Sequence, residues 1–321
     1  MHRGTKSCAL IVGIVALLGA DAAAAGVRAV LGEHVRLRPD GLYAVDISEG
    51  RPLLTHGPDP APAAAPRSRG AAGGPQRPPV CAADSYTHLL LARPRGGHRA
   101  AGPRPHGRAR RVRHRARVAV RRANALLNAS SVAAGGPSAD LEVRCDARGR
   151  VALSRLRSKR ADFDSLVGAA RRRGFDHPTT DYLILVRGRN AHTCGAASFE
   201  GDERLSAINI NNVRGGYAIV YKRCWTAEDL LHELGHLQGA VQYRAPFSTG
   251  EGRHCWDERD VMCYAPDGGD LHQTGTISRC AVISFDCGND TYFDPTPEPG
   301  EWLDEHWNLG SPLNSYIRFG G

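Results

Sequence analysis

The sequence predicts an α/β fold with a mixed, twisted sheet. Apolar runs of strand length alternate along the chain with segments of helical period. The clearest runs are residues 86–92, 182–186 and 217–221. A helix is expected directly after the last run, from Thr226, with Asp229 as its capping-box partner. The 321 residues provide room for one domain of ordinary size with ancillary segments.

Shorter elements complete the predicted layout. Helical patterning covers residues 118–133 and 163–172, and the second helix is capped by Asp162 and ended by Gly174. Residues 141–144 and 151–156 predict a hairpin. Further strands are expected at residues 42–47 and 207–210.

The first 25 residues have the pattern of a secretory signal peptide. A basic start precedes an apolar stretch and a small-residue exit that ends near Ala25. That stretch is too short to span a bilayer comfortably, and no later segment comes close. We therefore expect a secreted, extracellular protein without stable membrane insertion; the alternative is an uncleaved anchor. Residues 26–80 are interpreted as an N-terminal extension or propeptide with a Pro/Ala/Gly-rich linker, and 81–321 as the main domain.

Eight cysteines remain once cleavage removes Cys8. An even set in an exported chain implies disulfide bonds, although the sequence alone does not choose among the pairings. Zinc held by thiolates is disfavoured because no CxxC pair is present. Our first choice of pairs is Cys81–Cys145, Cys194–Cys224, Cys255–Cys263 and Cys280–Cys287.

The net charge of +9 is concentrated in one stretch of the chain. Twelve arginines and no acidic residue lie between Arg93 and Arg122, and subtracting their charge from +9 leaves −3. The basicity therefore predicts no specific nucleic-acid partner. Residues 93–117 lack apolar periodicity and are expected to form a disordered basic insert outside the core. Three interpretations remain open, namely a solvated loop, a binding arm, or a reading-frame error in a GC-rich gene.

An HExxH motif at residues 232–236 carries the clearest chemistry. His232 and His236 are four residues apart, so in a helix they lie on the same face and can bind one zinc ion. Glu233 lies where it can accept a proton from a water molecule activated by that ion. The motif predicts a metal-dependent hydrolase with His232 and His236 as metal ligands.

The surrounding residues resemble the metzincin family of metalloproteases. HELGHLQGAVQ is similar to the family signature HExxHxxGxxH, in which a glycine turns the chain towards a third zinc ligand. Gly239 matches that glycine, but Gln242 stands at the third-ligand position, where a neutral amide is a poorer zinc ligand. The sequence DVMCY resembles the metzincin Met-turn, which implies Met262 beneath the ligands and Tyr264 as a ligand or oxyanion stabiliser.

The third ligand has two candidates. His254 is the favoured substitute because it supplies an imidazole from a loop close in sequence to the Met-turn, and Gln242 is the alternative. More widely, the GAVQ and VMCY sequences resemble a family of secreted zinc-dependent metalloproteases of actinobacteria. This resemblance extends more weakly from about Cys81 onward and breaks down across the arginine-rich stretch.

The resemblance implies a metzincin-like fold with an active-site helix and an irregular, disulfide-stapled C-terminal subdomain. It also implies a zinc-dependent endopeptidase that hydrolyses protein or peptide substrates with Glu233 as general base and Tyr264 assisting. We expect the protein to be a monomer. The alternative is a secreted binding or surface-interaction protein that keeps the fold without activity, as Gln242 would suggest. Glu233 favours the enzyme, because a structural metal site has no need of that carboxylate.

Overall fold

The computed structural model describes residues 35–37, 43–45, 53–55, 75–82, 86–94, 105–188, 193–249, 254–256, 259–263, 280 and 282–320. The predictions for the signal peptide, for Tyr264 and for most of the linker lie outside these residues. Within the described part of the chain, no helix has the length and apolar character needed to cross a membrane.

A small antiparallel sheet occupies the N-terminal region. It consists of β1 (Val35–Leu37), β2 (Tyr43–Val45) and β3 (Leu53–Thr55). The middle strand β2 pairs with both neighbours. A strand was expected at residues 42–47, and β2 confirms it.

The main sheet is mixed, as the sequence predicts. Its strands are β4 (Val80–Cys81), β5 (Tyr86–Pro94), β6 (Ala139–Val143), β7 (Leu153–Ser158), β8 (Thr180–Val186), β9 (Gly195–Ala197), β10 (Tyr217–Tyr221) and β11 (Ile317–Phe319). The order is β11-β6-β5-β8-β10-β9, with β4 beside β6 and β7 beside β5. The central pairings β5–β8 and β8–β10 are parallel, whereas β9 and β11 run antiparallel to their neighbours.

Helices cover both faces of this sheet. They are α1 (Pro105–Ala133), α2 (Phe163–Arg171), α3 (Ile210–Val213), α4 (Ala227–Leu237) and α5 (Trp302–Glu305). Alternate residues of the central strands enter two apolar clusters, one shared with α1 and α4 and the other with α2. Burial on both faces explains why β5, β8 and β10 are almost continuously apolar, which made them visible in the sequence.

Local signals also placed α2 correctly. The Asp162 carboxylate accepts a 2.8 Å hydrogen bond from the Ser165 backbone N–H, and Gly174 follows the helix with φ +73°. The side-chain cap satisfies a backbone donor that has no partner within the helix. The glycine takes the left-handed conformation that terminates many helices.

Helix α1 differs from the sequence-based prediction because it begins at Pro105 rather than at residue 118. Ala116 is fully buried, and Arg117 Nε donates a 3.0 Å hydrogen bond to the Val151 carbonyl. The expectation that residues 93–117 lie outside the core is therefore wrong for Val112, Ala116 and Arg117, whereas the other described side chains of residues 107–115 are exposed or half-buried. The many arginines obscure the apolar pattern of this helix in the sequence. A stripe of small apolar side chains packs against the core, formed by Val112, Ala116, Ala119, Val120 and Ala123.

Two further predictions are corrected. The hairpin predicted from residues 141–144 and 151–156 forms only at its tip, where Cys145 pairs with Val151. The strands β6 and β7 do not pair with each other, because both pair in parallel with β5. Residues 207–210 form no strand. There the Asn209 side chain accepts a 2.9 Å hydrogen bond from the Asn211 N–H and starts α3, a common way in which asparagine diverts a backbone from a sheet.

The C-terminal segment is irregular and is built into the main core. Residues 282–320 supply β11 to the sheet and Phe285, Tyr292 and Trp307 to the apolar cluster under α1 and α4. All four predicted cysteine pairs lie at disulfide distance. Their Cα atoms are 5.4, 5.4, 4.1 and 5.8 Å apart in sequence order, below the limit of about 7 Å for a disulfide bond.

The burial of α1 gives a first prediction. Ala116→Glu should lower the free energy of unfolding by about 3 kcal/mol or more, because a charge would enter the apolar core. The matched change Arg115→Glu, at the exposed neighbouring position, should alter it by about 0.5 kcal/mol or less. Urea unfolding followed by circular dichroism measures both, and equal midpoints would contradict the packing of this helix.

Candidate metal centre

Helix α4 carries the HExxH motif and is held at both ends. The Thr226 hydroxyl accepts a 3.1 Å hydrogen bond from the Asp229 backbone N–H. At the other end, the N–H of Ala240 reaches the Gly235 carbonyl at 2.8 Å and the N–H of Gly239 reaches the His236 carbonyl at 3.1 Å. This pair of bonds is a Schellman motif, and it requires the left-handed conformation that Gly239 adopts with φ +81°.

His232 and His236 face each other on one side of α4. Their Nε2 atoms lie 3.0 Å apart, and both side chains are buried. His232 Nδ1 is 2.8 Å from the Val261 carbonyl. Because a carbonyl only accepts, Nδ1 carries the proton, and in the neutral imidazole Nε2 keeps its lone pair for a metal ion.

His254 joins this pair from a separate loop. Its Nε2 lies 3.2 Å from His236 Nε2, and the ligand atoms of the three histidines all lie within 4.8 Å of one another. Thr249 holds the backbone of His254, because its N–H and its hydroxyl both donate to the His254 carbonyl. The next residue, Cys255, forms a disulfide bond with Cys263, which fixes the loop beside the turn at residues 260–263.

The three imidazoles fit a single tetrahedral metal ion. Nitrogen atoms bound at about 2.05 Å with tetrahedral angles lie about 3.3 Å from one another. The observed Nε2 separations of 3.0 and 3.2 Å are close to this value. A convergence of lone pairs at such distances is favourable only with a proton or a cation between them, so these residues could hold a metal ion.

Met262 lies directly beneath α4. A Cβ at Gly235 would lie 2.6 Å from the Met262 sulfur, so only glycine allows the turn to approach the helix this closely. Met262 is fully buried. Its backbone N–H donates a 2.8 Å hydrogen bond to the Asp260 carboxylate, which shapes the turn.

Two buried carboxylates lie behind this turn. Asp260 also accepts from the Cys287 N–H at 3.0 Å and from the Tyr292 hydroxyl, while Asp286 accepts from the N–H groups of residues 291, 292 and 293. Burial raises the pKa of Asp286 to about 7. The pKa of Asp260 is raised well above its usual range, mainly by burial and secondly by the nearby charge of Asp286. A pair of acids in this setting retains a proton near neutral pH.

Glu233 lies between α4 and the edge of the sheet. Its carboxylate packs against Gly195 of β9 so closely that a methyl group at position 195 would overlap it. Glu233 is 2% exposed. The residues that sequence reasoning missed are Gly195, whose closeness to Glu233 depends on sheet pairing, and Asp260, whose only sequence signal was its place next to the Met-turn motif.

Gln242 is turned towards backbone groups. Its side-chain N–H donates to the Gly239 carbonyl at 2.9 Å, and the side chain borders a surface groove that also contains Glu203 and Arg244. These two charged residues form an ion pair. The contacts of Gln242 therefore point to a role in holding the chain after Gly239.

The buried acids predict a specific pH dependence of stability. In the unfolded chain Asp286 has a pKa of about 3.9. Between pH 4 and 7 the folded protein thus keeps a proton that the unfolded chain releases. The free energy of unfolding therefore decreases as the pH rises through this range. Asp286→Asn should reduce this loss by on the order of a few kcal/mol.

The measurement is urea unfolding of both proteins at several pH values between 4 and 8. Asp304→Asn, a change at a partly buried aspartate of the same C-terminal segment, serves as the matched control. Parallel stability curves for the wild type and the Asp286 variant would contradict a proton held at this position.

No protein-family model matches the chain, and no curated protein matches it.

Proposed function

We propose that this protein is a secreted, zinc-dependent endopeptidase. The observation that carries the proposal is the convergence of His232, His236 and His254 beside Glu233, at the edge of the sheet. The proposal combines three imidazoles that could bind a metal ion, a carboxylate on the helix that carries two of them, and a strand against which a substrate can bind. The four cysteine pairs at disulfide distance favour an oxidising, extracellular location.

The donor set favours zinc. Three neutral imidazoles are a common set for catalytic zinc, and they leave a fourth position for water or substrate. We assign the third position to His254, because its Nε2 lies 3.2 Å from that of His236. We assign Gln242 a supporting role, because its amide is bonded to the Gly239 carbonyl at 2.9 Å.

Strand β9 offers a binding edge for an extended peptide. It stands at the end of the strand order, and within the described residues it pairs only with β10. An extended chain can add to such an edge through main-chain hydrogen bonds. A peptide bound along β9 would pass Gly195 and bring one of its carbonyl groups close to Glu233 and the three histidines.

The reaction would be hydrolysis of that peptide bond. A zinc ion bound here would supply Lewis acidity, which lowers the pKa of a water molecule and polarises the substrate carbonyl. Glu233 would accept the proton of the attacking water on its carboxylate and deliver it to the leaving amine. The hydrogen bond from His232 to the Val261 carbonyl would keep that ring oriented throughout. By resemblance, Tyr264 would stabilise the oxyanion.

Several features support a metzincin-like arrangement. They are the left-handed Gly239 after the HExxH helix, the fully buried Met262 beneath that helix, and the mixed sheet with an antiparallel edge strand. The departure from the family signature is the third ligand, which comes from His254 rather than from position 242.

The general base can be tested by Glu233→Gln. We expect bound zinc to remain and kcat on an unstructured protein substrate to fall by about 10²-fold or more, as is usual when a general base is lost. Glu228→Gln, the same change in the exposed first turn of α4, is the matched control and should keep full activity. Retention of more than about a tenth of the activity in the Glu233 variant would exclude this role.

The third ligand can be tested by comparing His254→Ala with Gln242→Ala. Loss of His254 should weaken zinc binding by more than the 10- to 100-fold typical of residues that only orient a ligand. Gln242→Ala should stay within that range or below it. Competition with a chelating dye measures both, and His177→Ala, a change at an exposed histidine, is the control. The reverse order of the two effects would assign the position to Gln242.

The alternative remains a secreted binding or surface-interaction protein that keeps the metzincin-like fold without catalytic activity. It would be favoured if the wild-type protein bound one zinc ion and cleaved no peptide bond in a broad set of unfolded proteins. The same zinc measurement shows whether a failure concerns the metal site or only the reaction.

A further inference from the structure

A second concave site lies along one flank of α1, next to the side chains that pack in the core. It is a groove of about 730 Å³ between α1 and residues 150–155, which include the start of β7. Six arginines line it, and we call it the arginine groove: Arg110, Arg113, Arg117, Arg121, Arg150 and Arg155. It shares no lining residue with the candidate metal centre.

Four of these arginines form a row along α1. Positions 110, 113, 117 and 121 follow the three- and four-residue spacing that places side chains on one face of a helix. With a rise of about 1.5 Å per residue, the row is about 16 Å long. The stripe around Ala116 packs in the core, so the row is held in a fixed orientation towards the groove.

Within the part of the chain that the structure describes, the positive charge of this groove is only partly balanced. Asp146 is the only acidic side chain among its described lining residues, and it pairs with Arg150 at 2.9 Å and with Arg117 at 3.5 Å. The pKa of Arg117 is lowered, mainly by burial and secondly by the charge of Arg150. Like charges at this helical spacing destabilise a helix by about 0.2–0.5 kcal/mol per pair, and an anion bound along the row would relieve this repulsion.

The shape and composition of the groove favour one class of anion. Guanidinium groups bind phosphate through paired hydrogen bonds. No Phe, Tyr or Trp lines the groove, so it lacks the platforms on which single-stranded nucleic acids stack their bases. This concave surface presents no protruding helix or strand of the kind that enters the major groove of a DNA duplex to read its bases. A planar membrane surface would likewise reach only its rim.

We propose that the arginine groove binds a linear chain of closely spaced phosphate groups without bases, of the inorganic polyphosphate class. The row of four arginines matches a ligand whose charges repeat at short intervals, and the second wall contributes Arg150 and Arg155. This site is independent of the proposed peptidase activity and would tether the protein to a polyanion.

The test is binding of sodium polyphosphate to the full mature chain, measured by calorimetry at several salt concentrations. Arg113→Gln/Arg121→Gln should weaken binding by about 10-fold or more. The slope of log affinity against log salt should become shallower by about 1.4, because each phosphate contact contributes about 0.7. The matched control is Arg111→Gln/Arg115→Gln, which removes the same charge from exposed positions of α1 outside the groove and should change affinity by about 3-fold or less.

Both double variants keep the candidate metal centre intact. Any binding of polyphosphate through a metal ion would therefore persist equally in the two variants. Melting temperatures establish that the variants fold. If the first variant does not fold, Arg110→Gln/Arg155→Gln removes one exposed arginine from each wall and should weaken binding in the same way.

Three results would overturn the proposal. They are no binding of polyphosphate to the wild type, equal losses in the groove and control variants, and binding of single-stranded DNA, heparin or anionic vesicles as tight as that of polyphosphate. The last result would assign the groove to a different class of partner.

Discussion

The candidate metal centre depends on the close contact between helix α4 and the turn at residues 260–263. Gly235 leaves space for the Met262 sulfur, and this contact brings the Val261 carbonyl within hydrogen-bonding distance of His232. The same turn carries Cys263, whose bond to Cys255 holds the neighbouring His254. One glycine on the helix therefore permits an arrangement in which the turn orients one imidazole and tethers another. A side chain at position 235 would separate helix and turn, and the three nitrogen atoms would no longer converge.

The turn at residues 260–263 is itself held in place by carboxylates, which are costly to bury. Asp260 holds the backbone of Met262 on one side and that of Cys287 on the other, so a single carboxylate joins the metal-binding region to the C-terminal segment. Asp286 organises the next residues through three backbone N–H groups. Buried carboxylates lose hydration, and their hydrogen bonds offset only part of that cost. The irregular C-terminal segment thus acts as a support that positions the turn, and its lack of regular structure is compensated by these side-chain contacts.

Sequence reasoning succeeded where the signal was local. The capped helix with HExxH, the apolar strands β8 and β10, and the glycine after the helix all follow from residues within a few positions of one another. His254 was selected by chemistry, because an imidazole was missing from the expected set, and the structure places it beside the other two. Strand β9 was missed because its three small residues carry no strand signature and become a strand only by pairing with β10. The first half of α1 was missed because long charged side chains obscure the alanine stripe that packs in the core.

The bond between Cys255 and Cys263 has a consequence for when and where the imidazole set is complete. His232 and His236 are placed by the helix itself, whereas His254 is placed by a loop attached through an oxidised pair of cysteines. In a compartment that keeps thiols reduced, the loop would lose its tether while the helix kept its two histidines. Two imidazoles bind a metal ion less tightly than three, so a chain with reduced cysteines would bind metal less tightly than an oxidised one. Oxidation of Cys255 and Cys263 would thus complete the set of three imidazoles.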